Sequence, residues 1–406
     1  MLRAAIIGLG RVGLPLSLFL EDCGIQVVGI DNNLELLESL KKGKMPFLES
    51  GCQDLLTNSK IKLSENISSV REVDYIIITV GTPLVPHIET DLSAIRDVLK
   101  NLVPFLKKDQ SIILRSTVGP GTTLYLKNYI ELHSNLVVGK DIALAFCPER
   151  LAENHALDEL KRLPQIIGSN DEYSKEKCTE FFKKFRVELL YTSYNGAELV
   201  KLFNNASRYV HFSIANHFAV IADQFEENIF DIIKMCNYQY PREKIANPGF
   251  TAGTCLRKDF GFINEHSSSP DLLLSAWKVN EYMPYHLVKN LKKHTVLNRK
   301  NIAVLGYTFK ADTDDTRDSL VPKLIRYIER ELPSKITICD PFLQDDKIGE
   351  YENMSLEASL DGAQIVFLAN NHSCFRGEDV VKKAMPGVWF VDLWNCTGKD
   401  KLVFKT

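Results

Sequence analysis

The sequence predicts an α/β protein in which two doubly wound, mostly parallel sheets are joined by one long helix. Short apolar runs alternate with helical patterns in the first half of the chain, and the same alternation returns in the last third. Between them, an apolar helical pattern of about thirty residues runs from Asn195 to about Phe225. A chain of 406 residues is too long for one ordinary core. We therefore expect domains at residues 1–194, 195–293 and 294–406.

Composition and charge exclude several classes of protein. A formal net charge of −3 argues against non-specific binding of nucleic acid, and no apolar run is long enough to span a membrane. The nine cysteines are scattered without a CxxC pair, and the nine histidines show no metal-binding spacing. Because a glycine-rich motif begins at residue 8, we expect no secretory signal. The sequence therefore predicts a cytoplasmic protein with reduced thiols and no metal site.

The first strand is followed by a dinucleotide-binding pattern. The apolar run Leu2–Ile7 leads into GLGRVG and a helical pattern, and the next strand, Gln26–Ile30, ends in Asp31. The glycines permit a tight turn, close approach of the pyrophosphate and close packing of helix on strand, and the acid binds the ribose hydroxyls. Because a carboxylate repels the 2′-phosphate of NADP, the pattern predicts NAD. The alternative is a glycine-rich turn before an ordinary helix. The predicted cofactor contacts here are Gly8, Gly10, Arg11, Val12, Gly13 and Asp31.

Polar turns follow the next predicted strands, Tyr75–Val80, Ser111–Arg115 and Ile142–Phe146. Ligands of open α/β sheets bind beyond the carboxyl ends of the strands, so these turns should surround the nicotinamide. For Thr82 or Thr117 taken alone, capping of a helix is the more common role. The turns are residues 81–83, 116–123 and 147–153.

The long helix carries Lys201 and Asn205 one turn apart, hence on one face. Its apolar residues occur nearly all round, so we expect burial on several sides, as a spine between domains or in a dimer. Inside such a helix a lysine and an amide need partners. Equally, Lys201 could extend to solvent and Asn205 could bond the backbone.

The segment Asn247–Asp259 reads as a Pro/Gly-punctuated loop that carries Cys255 and Asp259. Gly249 and Gly253 allow close approach to a ligand, and the charges of Arg257 and Lys258 would stabilise a thiolate. Taken alone, an inert cysteine in a surface turn is the more common situation.

After a predicted helix at Asp271–Lys293, a second α/β pattern begins. Its turn Gly306–Lys310 lacks GxGxxG, so this Rossmann-like region should bind something other than NAD. Lys310 and Arg317 could hold a phosphate, although a mixed charge cluster in a turn is usually only solvated. The predicted strands are Asn301–Leu305, Lys335–Cys339, Gln364–Ala369 and Val388–Leu393.

Together these motifs resemble the UDP-glucose/GDP-mannose dehydrogenase family over nearly the whole chain. The resemblance implies two Rossmann-like domains joined by a long helix that also forms a dimer interface. It implies oxidation of the C6 alcohol of a nucleotide sugar to a carboxylate with two NAD per turnover. The residues that carry it are GLGRVG with Asp31, STVGPGTT at 116–123, PER at 148–150, Lys201 with Asn205, CLRKD at 255–259 and the run 310–317.

The resemblance also implies residue roles. Cys255 would trap the C6 aldehyde and later carry a thioester, Lys201 and Asn205 would stabilise the oxyanion, and Asp259 and Glu149 would assist hydrolysis. Thr117 and Glu153 would lie near the nicotinamide ribose and the reacting centre, with Thr117 among the catalytic residues, and Arg317 would approach the cofactor. The implied substrate contacts are Glu149, Lys201, Asn205, Gly253, Lys258 and Lys310, with Arg242 reaching a neighbouring subunit's substrate.

Two departures concern the sugar pocket. Ala252 stands where the family has glycine, and Arg257 stands where it has proline. The Cys-Pro-Glu-Arg run and Tyr240-Pro241-Arg242 look like the branch acting on UDP-N-acetylhexosamines, whereas Lys258-Asp259 looks like the UDP-glucose branch. We expect one of these two sugars and favour the former. The alternatives are a two-electron dehydrogenase of the 6-phosphogluconate or β-hydroxyacid type and a non-catalytic nucleotide-sugar binder.

Overall fold

The computed structural model describes residues 2–82, 84–85 and 89–406, without the side chains of 84, 85, 89, 90, 254, 255 and 257. The chain divides into two compact units. The N-terminal unit comprises Met1–Asn204 with Gly261–His266, and the C-terminal unit comprises Asn205–Phe260 with Ser267–Thr406. The division falls inside the long helix. The three domains expected at 1–194, 195–293 and 294–406 stay a prediction.

The N-terminal unit alternates strands and helices along the chain, as its apolar runs predicted. Its elements are β1 (Arg3–Ile7), α1 (Gly13–Asp22), β2 (Gln26–Ile30), α2 (Leu34–Lys41), α3 (Cys52–Thr57), β3 (Lys62–Ser64), β4 (Tyr75–Ile78), β5 (Leu84–Val85), β6 (Glu89–Thr90), α4 (Ser93–Leu102), β7 (Ser111–Leu114), α5 (Thr122–His133), β8 (Ala143–Phe146), α6 (Ala156–Leu160), β9 (Gln165–Gly168), α7 (Glu172–Phe182) and β10 (Leu189–Thr192).

Eight strands among the described residues form its main sheet, in the order β10-β9-β8-β7-β4-β1-β2-β3. All neighbours run parallel except β8 and β9. Its central strands β4, β7 and β8 are buried along their whole length, which explains their continuous apolar runs. The sequence did not predict β3, β9 or β10; β3 has three residues, and β10 is a partly exposed edge strand without a marked pattern.

The C-terminal unit contains a smaller sheet preceded by helices. Its elements after the long helix are α9 (Ile229–Asn237), α10 (Thr254–Glu265, which ends in the N-terminal unit), α11 (Asp271–Leu291), β11 (Asn301–Leu305), α12 (Val321–Glu329), β12 (Lys335–Cys339), β13 (Lys347–Ile348), β14 (Tyr351–Glu352), α13 (Leu356–Leu360), β15 (Ile365–Leu368), α14 (Asp379–Lys383), β16 (Trp389–Asp392) and β17 (Val403–Lys405).

Its sheet has the order β12-β11-β15-β16-β17, and only β17 runs antiparallel to its neighbour. The strand β11 lies between β12 and β15 and runs parallel to both, so the turn at Gly306 leaves the carboxyl end of an interior strand. The two doubly wound α/β regions predicted from the sequence are therefore confirmed, with the long helix in the chain between them.

The long helix, α8, spans Tyr194–Gln224, within one residue of the predicted bounds. The expectation of burial on several sides is not met within one chain. One face is buried. The opposite face, continued by Phe225 directly after the helix, leaves five large apolar side chains between 38% and 73% exposed: Phe203, Ile214, Phe218, Ile221 and Phe225.

The cysteine segment differs from the predicted loop. The extended stretch ends at Gly253, whose φ is +93°, and α10 begins at Thr254, so Cys255, Lys258 and Asp259 are helical. The reading as a loop was wrong because the glycines and proline punctuate only residues 248–253. The side chain of Cys255 lies outside the described part of the structure.

No helix in the described residues is long and apolar enough to cross a membrane. None of the eight cysteines with described side chains forms a disulfide. The described side chains form no cluster of three or more potential metal ligands.

Candidate active site

The glycine turn after β1 has the geometry that a dinucleotide pyrophosphate needs. Gly8 has φ +98°, and a Cβ there would lie 3.1 Å from the backbone N of Val80. A Cβ on Gly13 would lie 2.6 Å from Oγ1 of Thr79, so this position needs glycine for the helix to pack on the strand. At Gly10 a Cβ would meet no atom within 4 Å, which leaves the turn open to a ligand. Gly8 and Gly13 are therefore required by the turn and by helix packing, whereas contact of the glycine turn with a pyrophosphate stays a prediction.

Asp31 fixes the glycine turn from the end of β2. Its carboxylate accepts the N–H of Leu9 at 2.7 Å and the N–H of Asn33 at 2.9 Å. A carboxylate has about four lone-pair sites, so both oxygens can still accept ribose hydroxyls. Arg11, in the same turn, places its guanidinium carbon 5.0 Å from the ring centroid of Phe47.

The turns after β4 and β7 are tied to each other through hydroxyl groups. Thr82 is buried and donates to the carbonyl of Thr117 at 2.5 Å, and Ser116 donates to the carbonyl of Val80 at 2.7 Å. Neither threonine caps the next helix, because α4 begins after Leu92 and α5 begins after Gly121, both without a hydrogen bond from the N-cap side chain. The structure thus brings Thr82 and Thr117 together at the carboxyl edge of the sheet.

Glu198 of α8 supplies the missing cap. Its fully buried carboxylate accepts the N–H of Gly121 and the N–H of Thr123, both at 2.8 Å, and the hydroxyl of Thr123 at 2.6 Å. Burial raises the pKa of this carboxyl. The sequence reasoning missed Glu198; a glutamate on an apolar helical face, one turn before Lys201, was the only available signal.

A buried arginine lies beside Glu149, on the neighbouring strand ends. Arg115 donates to Oε1 of Gln165 at 3.1 Å and to the carbonyl of Cys147 at 3.4 Å. Burial lowers the pKa of Arg115, and the charge of Glu149 acts in the opposite direction. Glu149 is 6% exposed; one carboxylate oxygen accepts the N–H of Leu151, and the other has no hydrogen-bond partner among the described residues. Arg115 was predicted only as the end of a strand.

Two carboxylates, the distant Glu49 and the nearby Glu159, hold the turn that carries Glu153. Glu49 accepts the N–H of Asn154 and the N–H of Ala156, both at 2.9 Å, and Glu159 accepts the N–H of Ala152 at 2.6 Å. Glu49 is 5% exposed. The backbone on both sides of Glu153 is therefore fixed by charge-assisted hydrogen bonds.

Lys201 is 9% exposed on the buried face of α8, within the N-terminal unit, so its side chain does not extend into solvent. In the C-terminal unit, Asn205 donates its side-chain N–H to Oδ2 of Asp259 at 2.5 Å. Asp259 is fully buried. Two residues 54 positions apart in sequence, both predicted to be catalytic, are thus in direct contact.

The backbone before Cys255 is anchored within the C-terminal unit. Asn216 of α8 donates to the carbonyl of Gly249 and accepts its N–H, both at 2.9 Å. A Cβ on Gly249 would lie 2.6 Å from Cε3 of Trp394. Ala252 is 5% exposed and belongs to the apolar core of this unit. Its methyl group therefore packs against other apolar side chains.

The charged run after β11 is internally paired. The guanidinium of Arg317 binds the buried carboxylate of Asp315 through two nitrogens, at 2.9 Å and 2.6 Å. Thr308 donates to the carbonyl of Lys310 at 3.0 Å.

Two further predicted substrate contacts lie elsewhere in the chain. Lys258 is half-buried in α10. Arg242 is exposed and donates to the hydroxyl of Tyr240 at 3.1 Å. The catalytic and binding roles assigned to these residues stay predictions.

Three domains of one known protein family match most of the chain. Residues 2–186 match the NAD-binding domain of the UDP-glucose/GDP-mannose dehydrogenase family, residues 195–282 its central domain and residues 303–399 its UDP-binding domain. A UDP-N-acetyl-D-mannosamine dehydrogenase of Methanococcus maripaludis is 30% identical over 416 aligned residues, which cover 100% of this chain and 92% of that protein.

Solved structures agree with these matches. A UDP-D-ManNAc dehydrogenase from Pyrococcus horikoshii superposes with a TM-score of 0.86 at 28% identity, covering 96% of this chain and 95% of that one. The UDP-N-acetyl-mannosamine dehydrogenase Cap5O from Staphylococcus aureus also gives 0.86, at 27% identity, with coverage of 97% and 95%.

Proposed function

The chain belongs to the UDP-glucose/GDP-mannose dehydrogenase family, and we propose that it oxidises the C6 hydroxymethyl group of a UDP-N-acetylhexosamine to a carboxylate. It is an NAD-dependent dehydrogenase, with the family's NAD-binding domain at residues 2–186. The strongest structural support for this proposal is the hydrogen bond between Asn205 and Asp259, because it joins two predicted catalytic groups from distant parts of the sequence.

The residues of the glycine turn fit NAD. The open space at Gly10 and the left-handed backbone of Gly8 leave room for a pyrophosphate, while Arg11, Val12 and Gly13 lead into the first turn of α1. Asp31 lies at the end of β2, where the adenosine ribose is bound in such folds. NAD supplies the acceptor for the hydride that leaves C6 in each of two oxidations.

Cys255 would act as the nucleophile of the second oxidation. Its thiolate adds to the C6 aldehyde left by the first oxidation, and the resulting thiohemiacetal oxyanion loses a hydride to become a thioester. Water then adds to the thioester carbonyl, the C–S bond breaks, and the carboxylate, the thiol and one proton are released. Because Cys255 is the second residue of α10, the partial positive charge of the helix N-terminus favours the thiolate.

The charged groups would stabilise these steps. Lys201 is buried on α8, where an ammonium group can stabilise the oxyanion at C6. The amide of Asn205 orients Asp259, which then positions the hydrolytic water. Glu149, with one carboxylate oxygen free of partners among the described residues, would assist hydrolysis. Thr117 and Glu153 would flank the nicotinamide ribose.

The C-terminal unit would bind the UDP-sugar. Its family match is the UDP-binding domain, and its turn after β11 carries Lys310 for the diphosphate. Gly253 and Lys258 would contact the sugar, Arg242 would reach a neighbouring subunit's substrate, and Arg317 would approach the cofactor. The N-acetylhexosamine is favoured over glucose because the Methanococcus and Pyrococcus relatives are named for UDP-N-acetylmannosamine.

We also propose a homodimer, or a higher even oligomer, formed through the exposed face of α8. Ile214, Phe218, Ile221 and Phe225 recur at helical spacing and are at least 38% exposed in the single chain. A second copy would bury them across a two-fold axis. The unpaired thiols of the eight described cysteines support a reducing compartment, the cytoplasm.

Product stoichiometry tests the function. The protein is incubated with NAD and a panel of UDP-N-acetylmannosamine, UDP-N-acetylglucosamine, UDP-glucose and GDP-mannose, and NADH is followed by absorbance. The proposal expects two NADH for each molecule of a UDP-N-acetylhexosamine consumed. One NADH per sugar would support a two-electron dehydrogenase, and binding without any NADH would support a non-catalytic binder. Turnover of UDP-glucose alone would overturn the choice of sugar.

A further inference from the structure

We propose that Phe309 is a positioning residue that transmits binding of the nucleotide diphosphate to the backbone before Cys255. The proposal rests on the proposed function, in which Lys310 contacts the diphosphate and Cys255 bonds to C6. Phe309 immediately precedes Lys310, and all the contacts below lie within the C-terminal unit.

The ring of Phe309 lies against the α-carbon of Gly253. A Cβ placed on Gly253 would be 2.6 Å from Cε2 and 3.0 Å from Cγ of this ring. The φ of +93° at Gly253 is also one that L-residues rarely adopt. Glycine is therefore needed here for two reasons, and the ring occupies the space that a side chain would take.

The other end of the charged run contacts the same glycine. The N–H of Gly253 donates to the carbonyl of Asp318 at 3.2 Å, and the N–H of Phe309 donates to the carbonyl of Asp315 at 3.0 Å. The run 310–317 is thus closed on itself, and the residues on either side of it both touch Gly253. A ligand that orders this run must also restrict Gly253.

The preceding residues have a separate anchor. Gly249 is held by the two hydrogen bonds from Asn216, and Phe250 and Ala252 are buried in the core of the unit. Only the end at Gly253, where α10 begins, depends on the run 310–317. Because Cys255 is two residues further on, the position of its backbone follows the contact between Gly253 and Phe309.

A ligand can stabilise a segment only by binding better to the arrangement in which the segment is ordered. A diphosphate on Lys310 fixes the run 310–317 in its closed form, and the closed form holds the ring of Phe309 on Gly253. Conversely, loss of the ring removes the link while leaving Lys310 in place. The coupling should therefore disappear without loss of nucleotide binding.

Hydrogen exchange of the amides of residues 250–256 tests the coupling, with uridine 5′-diphosphate as the probe. In the wild-type protein, saturating probe is expected to slow this exchange about tenfold. In Phe309→Leu the slowing should fall below about twofold, with calorimetry showing a dissociation constant within about fivefold of wild type. Phe404→Leu, which removes a half-buried ring on β17, is the matched control and should retain the wild-type response.

Full slowing in Phe309→Leu with the probe bound would overturn the proposal, as would no slowing in the wild-type protein with the probe bound. No binding of the probe to the wild-type protein would instead refute the proposed nucleotide site. A folded Phe309→Leu that no longer binds the probe would also contradict the proposal. If Phe309→Leu does not fold, Gly253→Ala replaces it, because the added Cβ displaces the ring; retained slowing there would overturn the proposal equally. In turnover assays, Phe309→Leu should lower kcat with KM for the sugar nucleotide within about threefold, and a change in KM alone would contradict the proposal.

Discussion

Replacing Glu198 tests how the N-terminal unit holds the turn 116–121. In Glu198→Ala the N–H groups of Gly121 and Thr123 lose the carboxylate that accepts them, their only acceptor among the described residues, and the hydroxyl of Thr123 loses the same acceptor. Each buried donor left without a partner costs about 1–3 kcal/mol. Since the turn can relax and admit water, we expect the free energy of unfolding of this unit to fall by about 3–5 kcal/mol. Glu198→Gln keeps one acceptor oxygen and should cost about half as much.

The positions of the tryptophans make the assay specific. All three, Trp277, Trp389 and Trp394, lie in the C-terminal unit, so their fluorescence reports urea unfolding there. Far-ultraviolet circular dichroism reports both units, and hydrogen exchange of peptides from residues 111–133 reports the affected turn. Glu198→Ala should move the dichroism transition and the exchange of these peptides more than the fluorescence transition.

Glu176→Ala is the matched control, because Glu176 is exposed on α7 and should cost less than about 0.5 kcal/mol. If Glu198→Ala destabilises the protein no more than this control, the carboxylate does not hold the turn and the reasoning is refuted.

A second check is the pH dependence of the free energy of unfolding. Burial raises the folded-state pKa of Glu198 above 4.5. The stability that its protonated form contributes is therefore fully present below pH 4.5 and is lost as the pH rises through the folded-state pKa. Glutamine does not titrate, so the free energy of unfolding of Glu198→Gln should decline less than that of the wild type as the pH rises through this interval.

Three further outcomes are expected. Asp31 carries a charge where NADP would place its 2′-phosphate, so kcat/KM should strongly favour NAD, and equal values for both cofactors would contradict this. Phe218→Glu should convert the oligomer to monomers in light scattering because it places a charge in the exposed apolar face of α8; a wild-type monomer at micromolar concentration would rule out the interface. Cys255→Ala should abolish the second oxidation and Cys255→Ser should accumulate a covalent sugar adduct by mass, whereas Cys147→Ala should do neither; full four-electron turnover by Cys255→Ala would refute the mechanism.

Much of the fold could be predicted because parallel strands that are buried on both faces have apolar residues at successive positions. The runs at 26–30, 301–305 and 335–339 coincide with β2, β11 and β12, and the long helix is correct to one residue at each end. Where a strand is short or lies at an exposed edge, as β3 and β10 do, its residues need no such pattern and the prediction failed. Cys255 was assigned to a loop because glycine and proline dominate the local signal, although they end at Gly253.

The sequence by itself determined the two α/β regions, the NAD fingerprint and the residue types of the candidate site, because each depends on spacing within one short segment. Only the tertiary structure decided which distant groups hold that site in place. Glu198 caps a helix 75 residues earlier, Glu49 holds a turn more than 100 residues later, and Asn205 meets Asp259 across 54 residues. The physical reason is that a buried polar group needs a hydrogen-bond partner, and the fold determines which residue lies within hydrogen-bond distance. The spacing of residues along the chain does not predict which distant residue this is.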